Sequence, residues 1–234
     1  MTAAKVREAL RDLASDEKAD SASRFFKTGP GQYGEGDRFI GVTVPEQRRV
    51  ARVFRYIDLD QIAKLLSSRT HEDRLTALLI LVSQHEAAEP LAGREMYRFY
   101  CDHLNRVNNW DLVDSSAPQI AGPHANGRQL QRWARSANLW HRRVAMLTTF
   151  HEIRLGNPQP ALSVALLLMH DDHDLIHKAM GWMLREIGTR CGREVETGFL
   201  KAHHHEMPRT ALRYAIEKFP SPLREQYLRG AVPL

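Results

Sequence analysis

Cysteine is scarce in this chain. Cys101 and Cys191 are the only two, they lie far apart, and they form no CxxC pair, which argues against a disulfide framework and against a thiolate metal site. No apolar run approaches the roughly 20 residues that span a bilayer. The N-terminal segment MTAAKVREALRDLASDEKAD carries charges throughout, where a signal peptide has an apolar core. A soluble, cytoplasmic protein with no membrane partner is expected. Strict two-residue alternation is almost absent, so strands are not expected. The one glycine-rich stretch, KTGPGQYGEGDRFIGVTVP (27–45), matches neither GxxxxGKS/T nor GxGxxG after a strand, so no nucleotide cofactor is expected. It reads instead as a long ordered loop ending in the helix start Thr43-Val44-Pro45-Glu46. The run His203-His204-His205 and the cluster HDDHD (170–174) lack a third and fourth ligand at a known spacing, so no metal is expected either. The first reads as an inter-repeat loop and the second as a helix cap.

What is present is a basic surplus with helical period. Lys and Arg number 33 against 28 Asp and Glu, a formal net charge of +5 with a pI near 9.4. That balance suits a polyanionic partner, although a solvated helix face accounts for it equally. The arginines recur along the second half, at Arg128, Arg132 and Arg135, at Arg142 and Arg143, and at Arg185, Arg190 and Arg193. Asp58 and Thr70 suit helix starts, Gly156-Asn157-Pro158 a stop, Asp171 or Asp172 another start, and Pro208 and Pro222 first turns.

The helical segments also repeat. With Ala77, Asp111, Ala145, Ala179 and Ala211 as markers, the steps are 34, 34, 34 and 32 residues. That spacing fits two antiparallel helices and their turns, which cannot bury their apolar faces alone and so stack. The expected fold is all-α, an α-solenoid of HEAT-like helix pairs in one domain over residues 1–234. The repeats run from about residue 58 to 229, and a concave basic face is available to a long ligand.

Two residues interrupt otherwise apolar stripes. In VNNWDLVDSSAP the stripe Val107, Trp110, Asp114, Ala117 is apolar except for Asp114, and in LWHRRVAMLTTF the stripe Leu139, Arg143, Met146, Phe150 is apolar except for Arg143. Asp114 precedes Trp182 by 68 residues, two repeat lengths, and Trp110 precedes Arg143 by 33. A charge among apolar neighbours is costly unless it is paired or reaches a wet groove. One reading is a structural Asp114–Arg143 ion pair with the tryptophans as packing. The other is a cleft where a guanidinium suits phosphate, indole faces suit cationic groups, and a carboxylate stabilises positive charge at a sugar carbon.

The segments FFKTGPGQYGEGDRFIGVTVPEQR, WDLVD, WHRRVAML and KAMGWMLRE, in that order and over nearly the whole chain, closely resemble the AlkD family of bacterial DNA alkylation repair proteins. The resemblance implies a HEAT-like α-solenoid that excises cationic alkylated purines, such as 3-methyladenine and 7-methylguanine, from duplex DNA without burying the base. It implies that Asp114 is the catalytic carboxylate, that Trp110 and Trp182 contact the deoxyribose of the lesion, and that Arg143 lies near the DNA backbone. The family's N-terminal aromatic contact, usually tyrosine, falls at Phe25, which keeps the ring and loses the hydroxyl. Lys27, Arg38, Arg142, Arg185 and Arg190 are candidates for phosphate contacts. Such an enzyme is expected to act as a monomer without a cofactor, nucleoid-associated when bound to DNA. The rivals are a non-catalytic solenoid for bent or branched DNA and a protein-binding scaffold.

Overall fold

The computed structural model describes residues 1–232, and among them the regular structure is helical. The chain divides into two compact units, Met1–Ile120 and Ala121–Leu234. Among the described residues no helix is long and apolar enough to cross a membrane.

In the first unit α1 (Ala3–Arg11) and α2 (Asp16–Phe25) precede the glycine-rich loop. They are followed by α3 (Val44–Val53), α4 (Leu59–Leu66), α5 (His71–Glu86), α6 (Pro90–Asp102) and the short α7 (Trp110–Asp114). The starts follow local chemistry. Thr43 and Glu46 form a capping box with Pro45 in the first turn of α3, and Asp58 and Thr70 are the N-caps of α4 and α5. The central element is α5, against which α1, α3, α4, α6 and α7 all pack. Its run Leu75 to Leu81 is buried on every side, as expected of a helix enclosed by neighbours.

The glycine-rich loop is ordered by its own hydrogen bonds and by α5. The backbone of Arg38 pairs with that of the α5 entry, donating to the Arg69 carbonyl at 3.1 Å and accepting from the His71 amide at 2.8 Å. The buried Glu72 carboxylate accepts the amides of Ile40 (3.0 Å) and Gly41 (2.8 Å). Gly41 is required twice over. Its φ is +78°, and a Cβ there would meet the Ser15 carbonyl oxygen at 2.0 Å.

The second unit contains α8 (Gly127–Ala134), α9 (Leu139–Thr148), α10 (Phe150–Arg154), α11 (Gln159–Leu167), α12 (Asp174–Arg190), α13 (Arg193–His203), α14 (Arg209–Ala215) and α15 (Ser221–Arg229). Here α12 is central, packed by α9, α10, α11, α13 and α14. Gly181 permits the close approach of α14, since a Cβ would lie 2.3 Å from the Ala211 carbonyl oxygen. The start expected at Asp171 or Asp172 falls later. His173 is the N-cap of α12, its Nδ1 accepting the Leu175 amide, while Asp171 receives Arg142. Of the triple histidine, His203 ends α13, and His204 is buried in the turn that follows.

The repeat register holds at the level of burial. Ala77, Ala145, Ala179 and Ala211 are each 0% exposed, in α5, α9, α12 and α14, and Asp111 is 8% exposed in α7. Four markers are alanines in packed helices. The fifth is a carboxylate in the same kind of place, and it marks where the candidate site begins.

Candidate nucleic-acid interface

Five residues make α7 too short to persist on helix propensity alone, so its position depends on what grips its ends. At the N-terminus the buried Asn109 caps the helix, its Oδ1 accepting the Trp110 amide at 2.8 Å, while its Nδ2 donates to Asp37 Oδ2 in the glycine-rich loop at 3.1 Å. Asp111 turns inward, Oδ2 lying 2.8 Å from His71 Nε2 and Oδ1 accepting the Leu112 amide at 2.8 Å. At the C-terminus Ser116 Oγ donates to the Leu112 carbonyl at 2.6 Å. The Ser116 hydroxyl hydrogen is thereby used, so the buried Tyr100 hydroxyl donates to it at 3.1 Å.

His71 completes the N-terminal grip. Its Nδ1 is 3.0 Å from Asp37 Oδ2, and Arg74 donates to the other oxygen of Asp37 at 2.6 Å. Both ring nitrogens therefore face carboxylate oxygens, which only accept, and the ring is a doubly protonated imidazolium. Burial alone would disfavour that charge. Asp111 and Asp37 outweigh it and lift the pKa to about 9. Burial likewise works against the Asp37 carboxylate, and the hydrogen bond from His71 and the charge of Arg74 reverse it, leaving its pKa lowered. Two carboxylates and two cations, all nearly inaccessible, balance to zero.

Beside this charged group the rings form a cluster. Phe39 stacks on His71 at 4.6 Å between centroids, Phe26 lies 5.0 Å from both Phe39 and His71, and Trp110 stacks on Phe26 at 5.1 Å. Phe25, 62% exposed, meets Trp110 edge-on at 5.8 Å. The structure thus brings Phe25 and Trp110 together in the first unit, with Asp114 one helical turn beyond Trp110 and, like it, partly exposed. Tyr33, from the loop, donates its hydroxyl to the Phe25 carbonyl at 3.4 Å. Lys27 and Arg38 are exposed, and neither side chain forms an ion pair among the described residues.

In the second unit Trp182 is held on α12, its indole N–H donating to Glu186 Oε1 at 3.3 Å, with the Phe150 ring 6.0 Å away. Arg190 donates to the other Glu186 oxygen at 2.9 Å, and the guanidiniums of Arg154 and Arg190 lie 5.2 and 5.3 Å from the Phe150 ring centre. Arg143 is buried at 5% exposure and donates to the Leu175 carbonyl. Arg142 is committed to the fold, bonded to Asp171 and to the carbonyls of Ser136 and Ala137, and Arg185 is paired with Glu217. Arg128, Arg132 and Arg135 are exposed on and just after α8. Among the described residues no three His, Cys, Asp or Glu side chains are grouped to hold a metal ion.

The sequence reading missed Asp37, His71, Arg74, Phe26 and Phe39. No local signal marks them. HEDR opens α5 as a polar run that resembles a solvated first turn, yet His71, Glu72, Asp73 and Arg74 are all buried.

No curated protein matches the chain. A solved structure described as a predicted DNA alkylation repair enzyme from Enterococcus faecalis shares the fold at a TM-score of 0.68 and 14% identity, covering 89% of this chain and 98% of its own. Residues 6–219 match the model of the DNA alkylation repair enzyme family, and the chain belongs to that family.

Proposed function

We propose that the protein is a DNA glycosylase that hydrolyses the N-glycosidic bond of cationic alkylated purines, of the 3-methyladenine and 7-methylguanine type, in duplex DNA. The observation that carries this reading is the α7 site, where a partly exposed carboxylate, Asp114, lies one turn from a partly exposed indole, Trp110, stacked on Phe26. Alkylation at N3 or N7 makes the base cationic, so the electron pair of the breaking C1′–N bond neutralises it and no acid is needed. Water adds to C1′ and releases a proton to solvent. The protein has only to stabilise the oxocarbenium-like sugar, which Asp114 does by charge and Trp110 by its face.

Several features support the finer points. Phe26 is engaged by the rings of Trp110, Phe39 and His71, which supports a reading in which the lesion is recognised through its sugar and backbone rather than through an extruded base. No amine belongs to the set Asp114, Trp110, Trp182 and Arg143, so no Schiff base forms and no lyase step follows. The enzyme works as a monomer in the cytoplasm, on chromosomal DNA, without metal or nucleotide. Lys27 and Arg38 contribute most to phosphate binding, whereas Arg142, Arg185 and Arg190 must first leave protein carboxylates.

The test is release of free base by the wild type from a duplex carrying 7-methylguanine, beside an unmodified duplex. Release from the first alone is expected. Tight binding of duplex or junction DNA with no base release replaces this reading with a non-catalytic DNA-binding role.

A further inference from the structure

We propose that His71, ion-paired to Asp37 and Asp111, is a positioning residue that sets Trp110 and Asp114 by clamping α7 to the glycine-rich loop. This rests on the glycosylase reading of those two residues.

The geometry joins three segments that are remote in sequence. Asp37 comes from the loop, His71 from the start of α5, and Asp111 from the first turn of α7. Asn109 adds a second tie from the N-cap of α7 to Asp37, so one carboxylate of the loop holds both the helix cap and the imidazolium. Trp110 lies between the two tied residues in sequence, and its ring stacks on Phe26, which itself lies 5.0 Å from the His71 ring. The same clamp therefore fixes the backbone of Trp110 and the surface under its ring. Asp114 ends the same five-residue helix, and a small rotation of α7 would move carboxylate and indole together. Misplacement by about 1 Å can cost on the order of 10²-fold in rate without loss of binding.

The experiment compares the wild type with His71→Gln, which keeps a polar side chain of similar reach but carries no positive charge and cannot donate from two separate nitrogens to the two carboxylates. Two quantities are read, single-turnover release of 7-methylguanine from duplex DNA with the duplex Kd, and the ring-proton shifts of Trp110 in the free protein. These signals are assigned by their loss in Trp110→Phe and displaced upfield by the face of Phe26. The expected result is a rate lower by about 10- to 10²-fold, a Kd within about threefold, an unchanged helical signal and loss of the upfield displacement. Unchanged rate and unchanged shifts overturn the proposal. If His71→Gln loses its helical signal, Asp37→Asn decides instead, since it keeps the shape and leaves the His71–Asp111 contact: a slower rate with moved Trp110 shifts supports the clamp, and no change in either rejects it. A wild type that releases no base refutes the glycosylase reading, and the Trp110 shifts then decide the role of His71 by themselves.

Discussion

Asp114→Asn is expected to bind duplex DNA as the wild type does and to release 7-methylguanine about 10²- to 10³-fold more slowly, the usual effect of deleting one preorganised electrostatic group. The substitution preserves shape, so the loss isolates the charge. The glycosylase reading assigns this charge to the reaction. Asp114 is the last residue of α7, where the carbonyl end of a helix is unfavourable to an anion. The hydrophobic grip on α7 comes from Leu112 and Val113, which are fully buried and unaffected by the change. Single-turnover kinetics with saturating enzyme, beside a binding titration, is the measurement. A variant that cleaves at the wild-type rate would return Asp114 to a structural role.

The second large effect is on stability against pH. His71 has its pKa raised from 6.5 to about 9 in the folded protein. Its contribution is therefore complete below pH 6.5 and is lost as pH rises through about 9, on the order of 3 kcal/mol in all. The charged groups facing it are Asp37, Asp111 and Arg74. Glu196, whose pKa burial pushes up to about 7, acts in a different interval: its effect is lost between about pH 4.5 and 7. Denaturant unfolding at pH 7, 8, 9 and 10 should show the wild type falling steadily and His71→Gln nearly level. Parallel curves would mean that the imidazolium is not the source.

Much of the fold could be read from the sequence because its causes are local. A capping box needs Thr43 and Glu46 three residues apart, and an N-cap needs only Asp58 or Thr70 before an apolar-periodic run. The 34-residue spacing rests on a related cause, since its alanine markers Ala77, Ala145, Ala179 and Ala211 are all buried in helices. The candidate site was legible only on its exposed side, at Trp110, Asp114 and Phe25. Its support was not, because His71 meets Asp37 and Asp111 across gaps of 34 and 40 residues. Nothing local in HEDR distinguishes a buried imidazolium from a solvated one. The start of α12 was misjudged for the opposite reason, as Asp171 resembles a cap but is drawn away by Arg142 on another helix.

The size of α7 has a consequence for how the protein fluctuates. Five residues leave α7 only a short ladder, with Val113 to Asn109 and Ser115 to Asp111 among its backbone bonds, too few to resist opening independently. Its protection from solvent exchange is then borrowed from the loop and from α5, and the amides of Val113 and Gly41 belong to one cooperative opening unit. Whatever orders the glycine-rich loop, a DNA backbone laid across Lys27 and Arg38 included, also suppresses the opening of the helix that carries Asp114.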